Sequence, residues 1–267
     1  MQTIYRRIAY SVALLLYLAP PTTAQTTDTT VVRTDSLKAG LTVGLNIGVN
    51  QLYGDLSSPN ICPGFGLLIS YPLSNVISLN LLGDLGTLSA QESSFYNSIA
   101  KTSYAQVALG GAINLTRLFQ STQKRKLASN QSNFSFYVAV GMVSFDAIAY
   151  SLTTNQVQRY TNGSGSHRTE EDGVTAKGPA GVSSTHEVVV PIGLRYNRQL
   201  SPRINLYGDL RYNFVNTDKL DASVDNDNTT ISTATGGDIY RNPASNESRD
   251  AWASLSVGLS YRLGKRR

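Results

Sequence analysis

The feature that constrains this chain most is an alternation of apolar with small or polar residues at a period of two, returning eight times from Leu41 to the C-terminus. That period places successive side chains on opposite faces of an extended strand. In the first run Leu41, Val43, Leu45, Ile47 and Val49 alternate with Thr42, Gly44, Asn46, Gly48 and Asn50. Phe65, Leu67, Ile69 and Tyr71 make a second; Ile77, Leu79, Leu81 and Leu85 a third, facing away from Ser78, Asn80 and Asp84. Ala105 to Leu115 reads as the fourth and Phe134 to Met142 as the fifth. The last three center on Val188–Tyr196, Ile204–Phe214 and Leu255–Leu263. Most runs reach the 9 to 11 residues that a tilted strand needs to cross a bilayer.

The connections alternate as well. Ser74-Asn75 and Ser201-Pro202 mark tight turns, whereas Gly54–Gly64, Ser89–Ser103, Ser151–Thr185 and Asp221–Asp250 read as long polar loops. Short turns on one side and long loops on the other fit a transmembrane barrel, and a compact soluble sandwich rarely tolerates such loops. Thr116–Ser132 is the exception on the short side and carries Lys124-Arg125-Lys126.

No stretch after the N-terminus is apolar for 18 residues, so strands must do the crossing. In hydrocarbon every backbone polar group needs a partner, which only a closed cylinder of strands provides. Residues 1–24 read as a signal peptide: Arg6 and Arg7, the apolar run Ile8 to Ala19, then Pro20-Pro21 and the small residues before Gln25. Residues 25–40 lack periodicity and read as a flexible mature N-terminus, leaving 41–267 for the barrel. Charged residues are only 15% of the chain, and one cysteine, Cys62, excludes an internal disulfide. The net charge of +5 is modest, and no basic surface interleaved with aromatics suggests nucleic acid.

The expected architecture is all-β, an eight-stranded antiparallel transmembrane barrel with short periplasmic turns and long extracellular loops. Asp84, Glu187, Arg195, Asp209, Arg211 and Arg262 fall on inward positions and form the candidate lumen charge network. Tyr53, Tyr71, Tyr104, Phe134, Tyr196, Phe214 and Tyr261 are the candidate interfacial girdle, where amphipathic rings prefer head-group depth.

Several segments carry a family resemblance: Gln51-Leu52-Tyr53-Gly54-Asp55-Leu56, Val140 to Asp146, Val190 to Tyr196, Asn216 to Asp221, and Leu259 to Lys265. They resemble the small outer-membrane barrels common in Bacteroidetes and are similar to the membrane domain of OmpA-like proteins. The resemblance implies insertion by the outer-membrane assembly machinery. It also implies outer-membrane lipid and lipopolysaccharide as surroundings, with the barrel a monomer. The terminal residue is Arg267 rather than an aromatic, a departure from the usual terminal-strand address. Full OmpA-like proteins carry a peptidoglycan-binding domain after the barrel, and anchoring through one is not expected of a chain that stops at Arg267.

Catalytic candidates are thin. His167 and His186 are the only histidines; Ser183, Ser184, His186 and Glu187 could together suggest a lipid hydrolase. Adjacent strand residues point to opposite faces, however, so His186 and Glu187 are poorly placed to cooperate. No metal cluster, phosphate loop or dinucleotide fingerprint is present, and no cofactor is expected. The expected function is a non-enzymatic outer-membrane barrel that supports the envelope and displays surface loops. A narrow pore or small-molecule carrier is the alternative, and a lipid-modifying hydrolase the third reading.

Overall fold

The computed structural model describes residues 40–94, 97–119, 132–160, 185–215, 217, 219–222, 230–232, 238–240 and 250–263. Residues 1–24, expected to be a signal peptide, and nearly all of the 25–40 segment lie outside the described residues.

Eight long strands form the fold: β1 (Thr42–Tyr53), β2 (Ile61–Pro72), β3 (Ile77–Glu92), β4 (Ser98–Asn114), β5 (Ser132–Ser151), β6 (Thr185–Gln199), β7 (Ile204–Val215) and β8 (Ala251–Arg262). Each pairs antiparallel with its neighbors in the chain. Pairing of β1 with β8, Thr42 opposite Arg262 and Tyr53 opposite Ala251, closes the cylinder. Closure leaves the wall without a free edge, the condition for strands in hydrocarbon.

Burial runs opposite to that of a soluble protein. Ile47 is 61% exposed while its neighbor Asn46 is 9% exposed. The same inversion holds at Phe65 beside Gly66, Leu85 beside Asp84 and Leu210 beside Asp209. A sandwich core would bury the aliphatic face and solvate the polar one. This chain is a transmembrane β-barrel.

The two ends differ. At the turn end the links are built alike: Leu73 and Ser74 donate their N–H to the Ile77 carbonyl (both 3.0 Å), as Leu200 and Ser201 do to that of Ile204 (2.9 and 3.1 Å). In each turn the serine Oγ accepts the N–H of the following strand's first residue, Ile77 at 2.9 Å and Ile204 at 3.1 Å. The expected fourth strand stops short of Leu115. Asn114 Oδ1 accepts the Arg117 N–H at 3.0 Å and so caps a short helix, α1 (Leu115–Phe119).

At the loop end the strands run past the span. β4 has 17 residues and β5 has 20, well beyond a membrane crossing. The link expected as a long loop over Ser89–Ser103 is therefore mostly strand, with Glu92 still paired to Ser98. Short strands extend this wall: Ser58–Pro59 pairs with β3 and Val157–Tyr160 with β5. Thr230–Ser232 and Asp238–Tyr240 form a separate two-stranded ladder.

Inward glycines make room for large inward rings. A Cβ on Gly193 would lie 2.5 Å from the Tyr137 ring, and one on Gly258 would lie 2.7 Å from that of Tyr207. In both cases the glycine is the ladder partner of the tyrosine on the adjacent strand, so its missing side chain leaves room for the ring to lie over it inside the lumen.

Candidate functional site: a lumen closed at two levels

The first level is a charge cluster at mid-barrel. Asp209 and Arg211 sit two apart on β7, hence on one face, and the register sets Arg195 of β6 directly opposite Asp209. Arg195 Nε and Nη2 reach Asp209 Oδ2 at 3.0 and 2.9 Å. From the other side Arg211 Nη2 reaches Asp209 Oδ1 at 3.2 Å. Arg211 Nη1 crosses the lumen to pair with Asp84 Oδ2 of β3. Tyr137 of β5 ties these together: its hydroxyl donates to Asp209 Oδ1 at 2.8 Å and accepts from Arg211 Nε at 2.9 Å. The Arg195 guanidinium also lies 4.8 Å from the Tyr137 ring center. Two arginines and two aspartates balance, and each charge has a partner from another strand. Burial of all four is tolerable only because they are paired.

Four of the six predicted network residues therefore meet: Asp84, Arg195, Asp209 and Arg211. Glu187 and Arg262 do not join them. They share the inward side by strand parity, but Glu187 stands opposite Val143 near the loop end and Arg262 opposite Thr42 at the turn end. Parity sets the face of a residue and leaves its depth open.

The second level is apolar and lies at the loop end. Leu52, Leu88, Val143, Phe145, Val189 and Trp252 are fully buried there, and Leu220 enters among them from a loop. Thr217–Ala222 is held across the mouth by specific bonds. Thr102 Oγ1 donates to the Leu220 carbonyl, and the Leu220 N–H donates to Asp250 Oδ2 at 2.7 Å. Asp221 Oδ2 accepts the N–H of Asp55 at 2.8 Å, and the Asp250 N–H donates to the Thr217 carbonyl at 2.8 Å. Ala222 takes a left-handed φ of 51°.

Between the levels, Gln106 donates to Asn213 Oδ1 at 3.4 Å, and Tyr104 packs on Trp252 with ring centers 5.2 Å apart. One space here, lined by Asn46, Asn50, Asp84, Tyr104 and Arg211 among others, has room for about one water molecule.

Tyr104 corrects the predicted girdle. It is buried inside the barrel, because β4 alternates and Ala105, Val107 and Leu109 take the outward positions. Tyr53, Tyr71, Phe134, Tyr196, Phe214 and Tyr261 share the outward face. Toward the loop end, Tyr53 contacts Tyr212 at 5.9 Å and Tyr212 contacts Phe214 at 4.7 Å. Toward the turn end, Phe134 contacts Tyr196 at 4.9 Å. Tyr212, placed in a strand by the sequence but left out of the girdle, completes the loop-end group.

For the hydrolase candidates the geometry is unhelpful. His186 is exposed on the outside, Glu187 has the opposite parity, and Ser183, Ser184 and His167 lie outside the described residues. No group of three metal-ligating side chains occurs among the described residues.

No protein-family model and no curated protein sequence matches the chain. Among solved structures it is similar to Ail, the attachment invasion locus protein of Yersinia pestis, with 12% identity and a TM-score of 0.41, covering 84% of this chain and 99% of that one. Neisserial surface protein A is similar at 10% identity and a TM-score of 0.40, covering 84% and 98%. The outer membrane protein AlkL, solved in lipid bilayers, follows at 13% and 0.38, covering 92% and 99%.

Proposed function

We propose that this chain is an outer-membrane protein whose barrel is closed and non-enzymatic, and which serves the envelope by anchoring and presenting its loop-end segments. The observation that carries this reading is the double closure of the lumen, by the Arg195–Asp209–Arg211–Asp84 cluster and by the Leu220 cap. An open pore of this size needs a continuous polar path, and the apolar level interrupts it. Residues 1–24 act as the export signal in this reading. The assembly machinery inserts the barrel with its turn end toward the periplasm, and lipopolysaccharide surrounds the loop end.

The test has two parts on the same material. The protein is expected to fractionate with the outer membrane, to shift its electrophoretic mobility on boiling, and to pass no discrete current in planar bilayers. Recurrent single-channel steps from the folded form would overturn the closed-barrel reading and put a narrow pore or carrier in its place. One observation favors that second reading: the apolar level is closed by a loop segment rather than by a strand.

A further inference from the structure

Charge is distributed unequally between the two ends. Among the described residues, the loop end carries Asp55, Glu92, Asp146, Glu187, Asp221, Asp238 and Asp250, together with Lys101, Arg159 and Lys219. The turn end carries Arg117, Arg198, Arg203 and Arg262 and no carboxylate. Two of these arginines stand on the outer surface of the wall. Arg198 of β6 follows Leu194 and Tyr196 on the outward face, and its ladder partner is Leu206. Arg203 is exposed in the turn before β7, and its Nη1 donates to the Tyr261 hydroxyl of β8 at 3.0 Å. Tyr261 is in turn the ladder partner of Ile204. The two guanidinium groups thus bracket the foot of a lipid-facing stripe that ends in Ile204, Leu206 and Leu259.

We propose that this rim, formed by Arg198, Arg203 and Tyr261, holds the phosphate of an anionic phospholipid headgroup. A guanidinium presents paired N–H donors that match phosphate oxygens. Arg203 is already oriented by the tyrosine hydroxyl, so less freedom is lost when the headgroup arrives. The surroundings favor a lipid over a wall polymer. Leu200, between the two arginines in the chain, and Leu263, two residues past Tyr261, are both exposed. Apolar side chains beside cations suit the boundary between hydrocarbon and headgroups, whereas a polymer of sugars and peptides would leave them uncovered. Assignment to the inner leaflet rests on the orientation proposed above; the headgroup chemistry does not.

The test is native mass spectrometry of the full chain, refolded in detergent, with phosphatidylglycerol or phosphatidylcholine added. The wild type is expected to retain phosphatidylglycerol over phosphatidylcholine. The R198Q/R203Q variant should lower that preference by roughly twenty-five-fold, taking about a factor of five per arginine at the surface. K101Q at the loop end should leave it unchanged. Tyr261→Phe removes only the hydroxyl that orients Arg203 and should lower the preference in part; the heat shift on a gel establishes that each variant is folded. Equal retention of the two lipids by the wild type overturns the proposal, as does an undiminished preference in R198Q/R203Q. Full competition by millimolar inorganic phosphate would make this a free-anion site and also overturn it. Arginine-dependent sedimentation with isolated sacculi, without any lipid preference, would hand the surface to the cell wall. Because none of these readouts involves current or fractionation, their failure is separable from failure of the closed-barrel reading.

Discussion

The two closures of the lumen are built from different materials. At mid-barrel the strands close the barrel with their own side chains: register sets Arg195 opposite Asp209, and inward parity at a shared depth brings in Arg211, Tyr137 and Asp84. At the loop end a segment from outside the wall is tucked into the mouth, and its bonds join residues as far apart as Thr102 and Leu220. The first closure is electrostatic and brittle, since removing one partner leaves a buried charge. The second is apolar and graded, since trimming a side chain costs only its area and the void it leaves.

The largest expected effect is therefore at Asp209. Asp209→Ala leaves Arg195 and Arg211 buried against each other and should cost about 3–5 kcal/mol, read as a lower urea midpoint for the heat-modifiable form. Replacing the four charged residues together by apolar ones of similar volume should cost far less. If the single and quadruple variants lose stability equally, the cluster is not a set of mutually dependent charges.

Leu220→Ala comes next, with about 2–4 kcal/mol lost from the cap if its surroundings do not collapse. Trp252, the only tryptophan, is fully buried in that cap and serves as a local probe. Its emission should shift red and acrylamide should reach it, while the mid-barrel cluster stays intact. Unchanged fluorescence would mean the segment from Thr217 to Ala222 does not seal the mouth in solution.

Current sharpens the contrast. Deleting Thr217–Ala222 alone should leave the barrel silent in a bilayer, because the charge cluster still stands below. Adding Asp84→Ala and Arg211→Ala to that deletion should yield discrete steps. Conductance from the deletion alone would place the whole barrier in the cap.

Smaller effects fall on the supporting residues. Gly193→Ala forces a Cβ against the Tyr137 ring and should cost about 1–3 kcal/mol in thermal or urea unfolding. Tyr137→Phe removes one hydroxyl that both donates and accepts, and about 1–3 kcal/mol is expected from bonds to charged partners. An unfolding midpoint that does not move in either variant would mean that the tyrosine is not wedged in the lumen.

These differences also explain what was legible in the sequence. The period of two placed all eight strands, because one face must be apolar in lipid and the other cannot be. It also set Asp209 and Arg211 inward together. Tyr104 lies near a strand end, as a girdle residue would, but its parity is inward because Ala105 and Val107 take the outward side. Glu187 and Arg262 were misjudged because alternation reports a face and not a height. The cap was invisible for a deeper reason: Leu220 sits in a polar loop with no period, and nothing local ties it to Thr102 or Asp250. Helix α1 was missed because Leu115 continued the apolar alternation, while the signal against it, the capping side chain of Asn114, is only one residue long.

The seam between β1 and β8 has a consequence for the order of events in making this protein. Its two strands lie at opposite ends of the barrel sequence, so the first must wait, unpaired on one side, until the last twelve-residue strand has been delivered. A chain halted anywhere before Ala251 offers two raw edges and a half-exposed set of charges, and no membrane-stable intermediate is available to it. Folding into the bilayer is thus tied to possession of the whole barrel, which makes the seam a test of completeness as well as a join.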